Sequence, residues 1–198
     1  MHMTCLIAGG NYEEQLAPFQ DNNMGDCPKE FLDTYTYTVY TYINGEECFE
    51  CLDFNNEEEA MEHCKNKGIE FNADDGYWNN SKAKWDWYQV GGRWYGYFVK
   101  KADGYGKKGS KSWMDTREDI NDNRVDIVRK GDIDIDGVIK GAVQDGREFL
   151  EIIKPYAFIK DGEFIDRGIS DDEYDKLFRE WWESLPDDEI IVAIDYHM

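Results

Sequence analysis

The sequence predicts an α+β fold, in which two main helices accompany a mostly antiparallel sheet within a single domain. Three observations predict this class. Residues 34–43 (TYTYTVYTYI) alternate and are rich in β-branched and aromatic residues, as strands are. Asn56 precedes a glutamate-rich turn and Gly68 follows twelve residues after it, which are start and stop signals of a helix. Near the C-terminus, a capping box at residues 170–173 precedes an apolar stripe with helical spacing.

The N-terminal half supplies further elements of this fold. Residues 3–8 (MTCLIA) form a predicted buried strand, and Pro18 ends a short helix that follows it. Asn44-Gly45 predicts a hairpin turn that returns the chain as a second strand over residues 47–54. In KWDWYQVGGRWYGYF (residues 84–98), the glycine pair separates two predicted strands.

The C-terminal half is predicted in the same way. Residues 101–112 form a basic glycine loop, and residues 125–137 continue as short strands with Ile133 and Ile135 facing inward. Two more strands surround Pro155, and residues 190–198 form a final buried strand. The apolar face of the last helix consists of Tyr174, Leu177, Phe178, Trp181, Trp182 and Leu185.

Charge limits the classes of partner. The chain of 198 residues carries 43 acidic and 22 basic side chains, a formal net charge of −21. Such a surface repels nucleic acid, whereas it attracts a basic protein surface and speeds association with it. Solubility alone would also account for the charge. No run of 18 apolar residues and no signal peptide is present, so we expect a cytoplasmic protein without a membrane partner.

The cysteines give a weak metal pattern. Cys48-x-x-Cys51 and His63-Cys64 together offer four zinc ligands, but no second C-x-x-C follows. Adjacent residues of one helix also point about 100° apart. We therefore expect reduced thiols, no metal and no cofactor.

Two other motifs match known patterns only in part. Residues 132–137 (DIDIDG) begin like a calcium-binding loop, but Val143 stands where the bidentate glutamate belongs. Gly104-x-Gly106-x-x-Gly109 fits the letters of a dinucleotide loop and lacks the strand and helix that such a loop joins. We therefore predict a strand at residues 132–137 and a flexible loop at the glycine segment.

The best acid–base candidate is Asp195-x-His197. On a strand both side chains share a face, so the carboxylate would orient the imidazole. A terminal histidine that is simply satisfied by an acid is the structural alternative.

The aromatic segment at residues 84–98 allows several interpretations. Core packing is one, with Arg93 paired to Asp86 or stacked on an indole. A recognition surface is another, because Trp, Tyr and Arg dominate binding hot spots. A platform for stacking sugars or bases is the third. The residues concerned are Trp85, Asp86, Trp87, Arg93 and Trp94.

Three segments occur in a recognisable order along the chain. They are residues 14–18 (EQLAP), residues 84–94 (KWDWYQVGGRW) and the closing Asp195-x-His197. This pattern resembles an uncharacterised family of small phage and bacterial proteins with E-Q-L-A-P-[FY], K-W-D-W-Y-x-[IV]-G-G-R-W and D-x-H-[IM] segments. The resemblance implies a mobile-element setting and carries no known activity to these residues.

The phage setting changes the interpretation of the charge. Small acidic phage proteins without catalytic motifs are often inhibitors of host nucleic-acid machines. The most specific form of this hypothesis is an anti-CRISPR protein that acts on Cas9. Cas9 with its guide RNA presents a strongly basic channel. We therefore predict a binding protein rather than an enzyme, one that occupies lysine and arginine sites and blocks nucleic-acid access in the host cell.

Two acidic clusters are the predicted contacts with this partner. They are Glu57, Glu58, Glu59 and Glu62 on the first main helix, and Asp171, Asp172, Glu173 and Asp175 on the last. Solvated helix faces are the plain alternative for both clusters. The alternative function is an enzyme or small-ligand-binding protein with a pocket lined by Asp86, Arg93, Asp195 and His197. A phage accessory domain with neither kind of partner is a third possibility.

Overall fold

The computed structural model describes residues 1–43, 46–113, 121–142 and 148–198. Its strands are β1 (His2–Ala8), β2 (Thr34–Ile43), β3 (Glu46–Phe54), β4 (Gly76–Asn79), β5 (Trp87–Gly92), β6 (Phe98–Val99), β7 (Gly106–Lys107), β8 (Ser110–Lys111), β9 (Arg124–Val125), β10 (Ile127–Arg129), β11 (Ala157–Lys160), β12 (Glu163–Asp166) and β13 (Ile190–His197). Its helices are α1 (Tyr12–Leu16), α2 (Glu57–Lys67), α3 (Ile135–Ala142), α4 (Phe149–Ile152) and α5 (Asp171–Ser184). No helix in these ranges is both long and apolar enough to cross a membrane.

The backbone separates into two compact units. The first unit consists of Met1–Leu16 and Trp87–Met198, and the second unit is the continuous segment Ala17–Asp86. The single domain expected from the sequence stays a prediction. Each unit has its own sheet and its own main helix, and each is described in turn.

An eight-stranded sheet organises the first unit. β1 lies between β11 and β13, and its register with β13 runs from the pair His2–His197 to the pair Ala8–Ile191. β1 is parallel to β11, and β5 is parallel to β8, whereas the other strand pairs of this sheet are antiparallel. Consecutive buried residues in β1 and β13 show that both faces of the sheet are covered there, as their apolar runs favour.

Helix α5 supplies much of the core of the first unit. The apolar face predicted from its spacing is confirmed: Tyr174, Phe178, Trp181 and Trp182 are buried, and Leu177 and Leu185 pack against the same core. Phe158 of β11 lies 5.1 Å from Trp181 between ring centroids. The predicted capping residue Ser170 accepts a hydrogen bond from the backbone N–H of Glu173, which satisfies one free donor of the first turn.

The second unit is a three-stranded antiparallel sheet with one helix. Its strand order is β3-β2-β4, and α2 packs Ala60 and Cys64 onto Tyr35, Tyr37 and Val39 of β2. The predicted strand pair is confirmed over Tyr35–Phe54 through Ile43–Glu46, and the predicted turn at Asn44-Gly45 lies outside the described residues. The predicted helix signals are also confirmed. Asn56 caps α2, and Gly68 ends it in the left-handed conformation.

The mixture of helix and strand is confirmed, but one sheet does not hold all the strands. Within the described residues, β6 and β9 form a separate pair beside the two larger sheets. The two main helices also pack on different sheets: α5 belongs to the core of the first unit, and α2, followed by Ile69 and Phe71, packs on β2 in the second. Hydrophobic periodicity identifies the long strands and helices, and it does not say which sheet a strand joins.

Three local predictions in the first unit are wrong. The two strands expected around Pro155 both follow it, as β11 and β12, and the segment before it forms helix α4. Residues 132–137 are a turn and the start of α3, because the side chain of Asp134 accepts the N–H of Gly137 and its carbonyl accepts that of Val138. Ile133 is buried as expected, whereas Ile135 is exposed. Residues 101–112 are not a free loop, because β7 and β8 lie within them. Gly109 of that segment passes close to a backbone, since a Cβ there would lie 2.2 Å from the carbonyl oxygen of Val90.

Candidate functional site

The glycine pair of the aromatic segment lies against two buried carboxylates. Gly91 and Gly92 end β5 with φ angles of +84° and +54°, in the left-handed region that favours glycine. A Cβ on Gly92 would lie 2.2 Å from Oδ2 of Asp195, and one on Gly91 would lie 2.9 Å from Oδ2 of Asp126. Both glycines are therefore required by the close approach of an aspartate.

The two aspartates hold the chain that follows β5. Asp195 accepts hydrogen bonds from the backbone N–H of Arg93 at 2.8 Å and from Nδ1 of His2 at 3.0 Å. Asp126 accepts three backbone N–H groups, those of Gly96, Tyr97 and Gly109, at 2.6, 3.1 and 2.9 Å. Both residues are fully buried. Several charge-assisted bonds compensate the desolvation of each carboxylate, so this pair is a structural anchor.

A tyrosine extends this anchored segment into the core. The hydroxyl of Tyr97 donates to the carbonyl of Ile153 at 3.0 Å, and burial raises the pKa of that hydroxyl far above its ordinary value. Burial therefore favours the neutral, hydrogen-bond-donating form of Tyr97. Its place in the core agrees with core packing as the role of this stretch.

The remaining residues of the aromatic segment divide between the two units. Trp85 and Asp86 belong to the second unit, where Trp85 is buried and bridges to Gln20. Trp87 and Arg93 belong to the first unit, and both are exposed. Trp94 is half-buried. These side chains therefore share a stretch of sequence without sharing one environment.

The Asp195 carboxylate of the acid–base candidate binds the imidazole of His2. The described hydrogen bond of the Asp195 carboxylate to an imidazole goes to His2, which pairs with His197 across β1 and β13. The ring of His2 lies 5.1 Å from that of His197 and 5.9 Å from that of Trp87, edge to face in both cases. Asp195 thus holds His2 and the backbone of Arg93, and the expected pairing of Asp195 with His197 stays a prediction.

No match to this chain is found among protein-family models, curated proteins or solved structures. The resemblance to a phage and bacterial family stays a prediction. What the residues can do follows from their own geometry and charge.

The acidic cluster on α2 is mostly unengaged. Glu59 is the exception, because its carboxylate accepts from the backbone and side-chain nitrogens of Asn55. Glu57, Glu58 and Glu62 are exposed, and no basic nitrogen of the described residues lies within 4.0 Å of their carboxylates. Three of the four predicted contacts on this helix are therefore open to a partner.

The acidic cluster on α5 is partly used within the protein. Asp175 pairs with Lys154 at 2.6 Å, so its charge is compensated. Asp171, Asp172 and Glu173 are exposed in the first turn, where carboxylates stabilise the helix dipole. This cluster lies in the first unit, whereas the cluster on α2 lies in the second.

Charge is concentrated in the second unit. Its 70 residues carry 16 acidic and 5 basic side chains, a formal charge of −11. The 128 residues of the first unit carry the remaining −10. The second unit is therefore about twice as acidic per residue, and its field acts on basic partners at distances comparable to the Debye length.

The proposed zinc ligands are not brought together. Cys64 is on the buried face of α2, whereas Cys51 is exposed beside Thr38, on the opposite face of the sheet. Within the described ranges, no group of three or more His, Cys, Asp or Glu side chains could hold a metal ion.

The residues that sequence reasoning missed are His2 and Asp126. His2 looks like part of a mobile terminus, yet it begins β1. Asp126 lies inside the apolar run VDIV, and Asp195 lies inside VAIDY. A lone aspartate within a buried strand is a usable signal, because such a group is retained only with hydrogen-bond partners.

Proposed function

We propose that this protein is an acidic inhibitor that binds a basic nucleic-acid-binding protein and blocks its access to nucleic acid. Cas9 with its guide RNA is the first partner to test. The observation that carries the proposal is the row of open carboxylates on α2, Glu57, Glu58 and Glu62, in a unit with a formal charge of −11.

The carboxylate row on α2 is expected to bind cationic groups for a physical reason. Glu58 and Glu62 are four residues apart on one helix, so they are neighbours, and like charges at that spacing destabilise a helix by a few tenths of a kcal/mol. A lysine or arginine of a partner would replace this repulsion with attraction. The same groups would attract a basic surface before contact, which raises the association rate at low salt.

A protein partner fits this surface better than nucleic acid does. Binding to nucleic acid depends on lysine and arginine side chains that replace counterions around phosphates. A net charge of −21 opposes that exchange. Exposed carboxylates can instead occupy the arginine and lysine sites of a nucleic-acid-binding protein, with charge-assisted hydrogen bonds like those that phosphates make.

The structure narrows the set of proposed contacts. Glu59 and Asp175 have partners within the chain, so we place them in structural roles. The primary contacts are Glu57, Glu58 and Glu62. Asp171, Asp172 and Glu173 of α5 form a second proposed set, and we rank it lower because its unit is less acidic.

The test is DNA loading onto Cas9 with guide RNA, followed by fluorescence anisotropy of a labelled target duplex. We expect the protein to reduce loading in a dose-dependent way. The apparent affinity should fall roughly tenfold or more between about 0.1 M and 0.3 M salt, because the attraction is electrostatic.

A panel of other basic nucleic-acid-binding proteins completes this test. Inhibition of any member, with the same salt dependence, would support the general proposal. The inhibited protein would then take the place of Cas9 as the proposed partner. Unchanged loading for every member at low salt would show that the charge serves solubility and would overturn the proposal.

A further inference from the structure

The three-stranded sheet has one face that α2 does not cover. The side chains of Tyr35, Tyr37 and Val39 point to α2, so alternate residues of β2 point to the other face. The strand register places Asp53 of β3 and Tyr77 of β4 beside Thr36 on that face. Tyr40, Phe49 and Tyr77, which lie on it, are all exposed aromatic side chains.

A cavity of about 450 Å³ opens on this face. Its size falls within the range of roughly 300 to 1,000 Å³ that is usual for small-molecule sites. The lining residues that matter here are Asp21, Asn23, Thr36, Asp53, Tyr77 and Asn79. All of them belong to the second unit, so the cavity is complete within Ala17–Asp86.

The floor of the cavity is held by hydrogen bonds that cross all three strands. Nδ2 of Asn79 donates to Oγ1 of Thr36 at 2.8 Å, and Oγ1 of Thr36 donates to Oδ1 of Asp53 at 2.6 Å. These bonds fix the orientation of the amide and of the carboxylate. No other hydrogen bond within the described ranges uses Oδ2 of Asp53 or Oδ1 of Asn79, so each has acceptor capacity for a ligand.

The rim is fixed in the same way. Oδ1 of Asp21 accepts the backbone N–H of Asn23 at 3.1 Å. Asn80 is buried, and its side chain donates to the carbonyls of Pro18 and Gln20. A site whose walls are already ordered loses less conformational entropy when it binds a ligand.

The lining selects among ligand classes by its hydrogen-bonding groups. It contains no Lys, Arg or His, and its two carboxylates repel anions. A guanidinium or ammonium group donates only, so it would find no use for the second N–H of the Asn23 and Asn79 amides, whose first N–H donates to Asp86 and to Thr36. A neutral polyhydroxylated ligand both donates and accepts, which matches carboxylates, amides and hydroxyls together.

The ring of Tyr77 adds an apolar wall to this polar site. It lines the cavity and is 48% exposed. An aromatic side chain offers a flat apolar surface with a polar tip, which suits a ligand that has one apolar face and several hydroxyl groups. A pyranose ring has these two features.

We propose that this cavity binds a neutral carbohydrate, with one pyranose unit between Tyr77 and the Asn79–Thr36–Asp53 row. The proposal is independent of the inhibitor function, because the carboxylates Glu57, Glu58 and Glu62 do not line the cavity. A single sugar has few atoms with which to gain affinity, so we expect Kd values on the order of millimolar.

Saturation-transfer NMR tests the proposal on the full chain. The probes are glucose, galactose, mannose, N-acetylglucosamine, maltose, cellobiose and lactose at about 10 mM, with free arginine and spermidine as cationic probes. We expect saturation of at least one sugar. Equal saturation of a monosaccharide and its disaccharide would indicate that the natural ligand is a free sugar. Stronger saturation of the disaccharide would indicate that the site binds the end of a longer glycan.

Matched variants connect any signal to the cavity. Tyr77→Ala and Asp53→Asn should each reduce the signal at least fivefold. Phe49→Ala removes a 72% exposed aromatic side chain from the same face outside the cavity and should leave it unchanged. Glu50→Gln, on the same strand as Asp53, is the matched charge control. Circular dichroism of all four variants confirms that they fold.

Three outcomes would overturn the proposal. They are the absence of a signal from every sugar, a sugar signal that survives Tyr77→Ala and Asp53→Asn, and cavity-dependent binding of arginine or spermidine without sugar binding. A variant lacking Glu57, Glu58 and Glu62 charges should bind sugar normally, so failure of the inhibitor function and failure of this site are distinguishable.

Discussion

The two units of the protein use their polar residues in opposite ways. In the first unit, the carboxylates that matter most are fully buried, and Asp126 and Asp195 hold backbone N–H groups in place. In the second unit, the carboxylates that matter most are exposed on α2, and the net negative charge per residue is about twice that of the first unit because basic residues are few. The comparison teaches that one sequence can use the same side chain as an anchor in one region and as a surface for partners in another.

The hydrophobic cores of the two units differ in size. The first core is the larger and includes Phe158, Phe178 and Trp181, whereas the second is a small cluster in which tyrosines of β2 pack on Ala60 and Cys64 of α2. Burial of apolar area is the main favourable term in folding. We therefore expect substitutions in the first unit to act on stability, and substitutions on the surface of the second to act on binding.

The largest expected effect is that of Gly92→Ala. The added Cβ would meet the Asp195 carboxylate in a left-handed backbone position, and we expect a loss of roughly 3 kcal/mol or more in the free energy of unfolding, or failure to fold. Urea unfolding measures this loss. Gly162→Ala is the control, because Gly162 also has a positive φ but open space around it, and it should cost about 1 kcal/mol. Equal losses would show that the first unit is not built around the buried carboxylate.

The next effect is that of Asp126→Asn. The substitution keeps the size of the side chain, but it removes the charge that three backbone N–H groups share. We expect a loss of about 2 to 3 kcal/mol, measured by the same urea titration. Asp188→Asn changes an exposed carboxylate of the same unit and should be nearly neutral. A small loss for Asp126→Asn would remove the contrast between buried and surface carboxylates.

The smallest effect concerns Asp33 in the second unit. The hydroxyl and the backbone N–H of Ser81 donate to its carboxylate, and these bonds lower the pKa of Asp33 below its ordinary value of 3.8. A lowered pKa stabilises the fold above the ordinary value, and this contribution disappears as the pH falls through the folded-state pKa. Ser81→Ala should therefore destabilise the protein at pH 6 by less than about 1 kcal/mol, because the group is exposed.

The pH dependence provides the check on this third prediction. The difference in unfolding free energy between the wild type and Ser81→Ala should be full at pH 6, shrink as the pH falls below 3.8, and disappear once Asp33 is protonated in both folded proteins. A difference that stays constant between these pH values would mean that the hydroxyl contributes through packing and not through the carboxylate.

Local signals account for the parts of the fold that the sequence predicted. The spacing of Tyr174, Phe178 and Trp181 fixes the buried face of α5, and Asn56 and Gly68 fix the ends of α2. These features depend on neighbours within one or two helical turns. The start of α3 at Ile135 was also a local signal, since Asp134 caps it, but alternating Ile and Asp favoured a strand.

Features that depend on distant residues were not predictable. Position 92 requires glycine because Asp195, more than a hundred residues away in sequence, lies against it. His2, near the other end of the chain, donates a hydrogen bond to the same carboxylate. The cavity on the open face of the second unit needs the register of three strands before Asp53, Thr36 and Tyr77 become neighbours. Motif spacing identifies none of these contacts, because register and topology are set by the whole sheet.

The most direct test of the central claim compares equal charge changes in the two units. The variant Glu57→Gln/Glu58→Gln/Glu62→Gln removes three exposed carboxylates from the second unit, and Glu163→Gln/Glu183→Gln/Asp188→Asn removes three from the first. Both raise the net charge equally, and DNA loading onto Cas9 with guide RNA, or onto the panel member that wild type inhibits, is the measurement. We expect the first variant to lose inhibition at least about tenfold and the second to change it by less than about threefold. Equal losses would contradict the claim, because they would show that total charge, and not the carboxylate row on α2, determines binding.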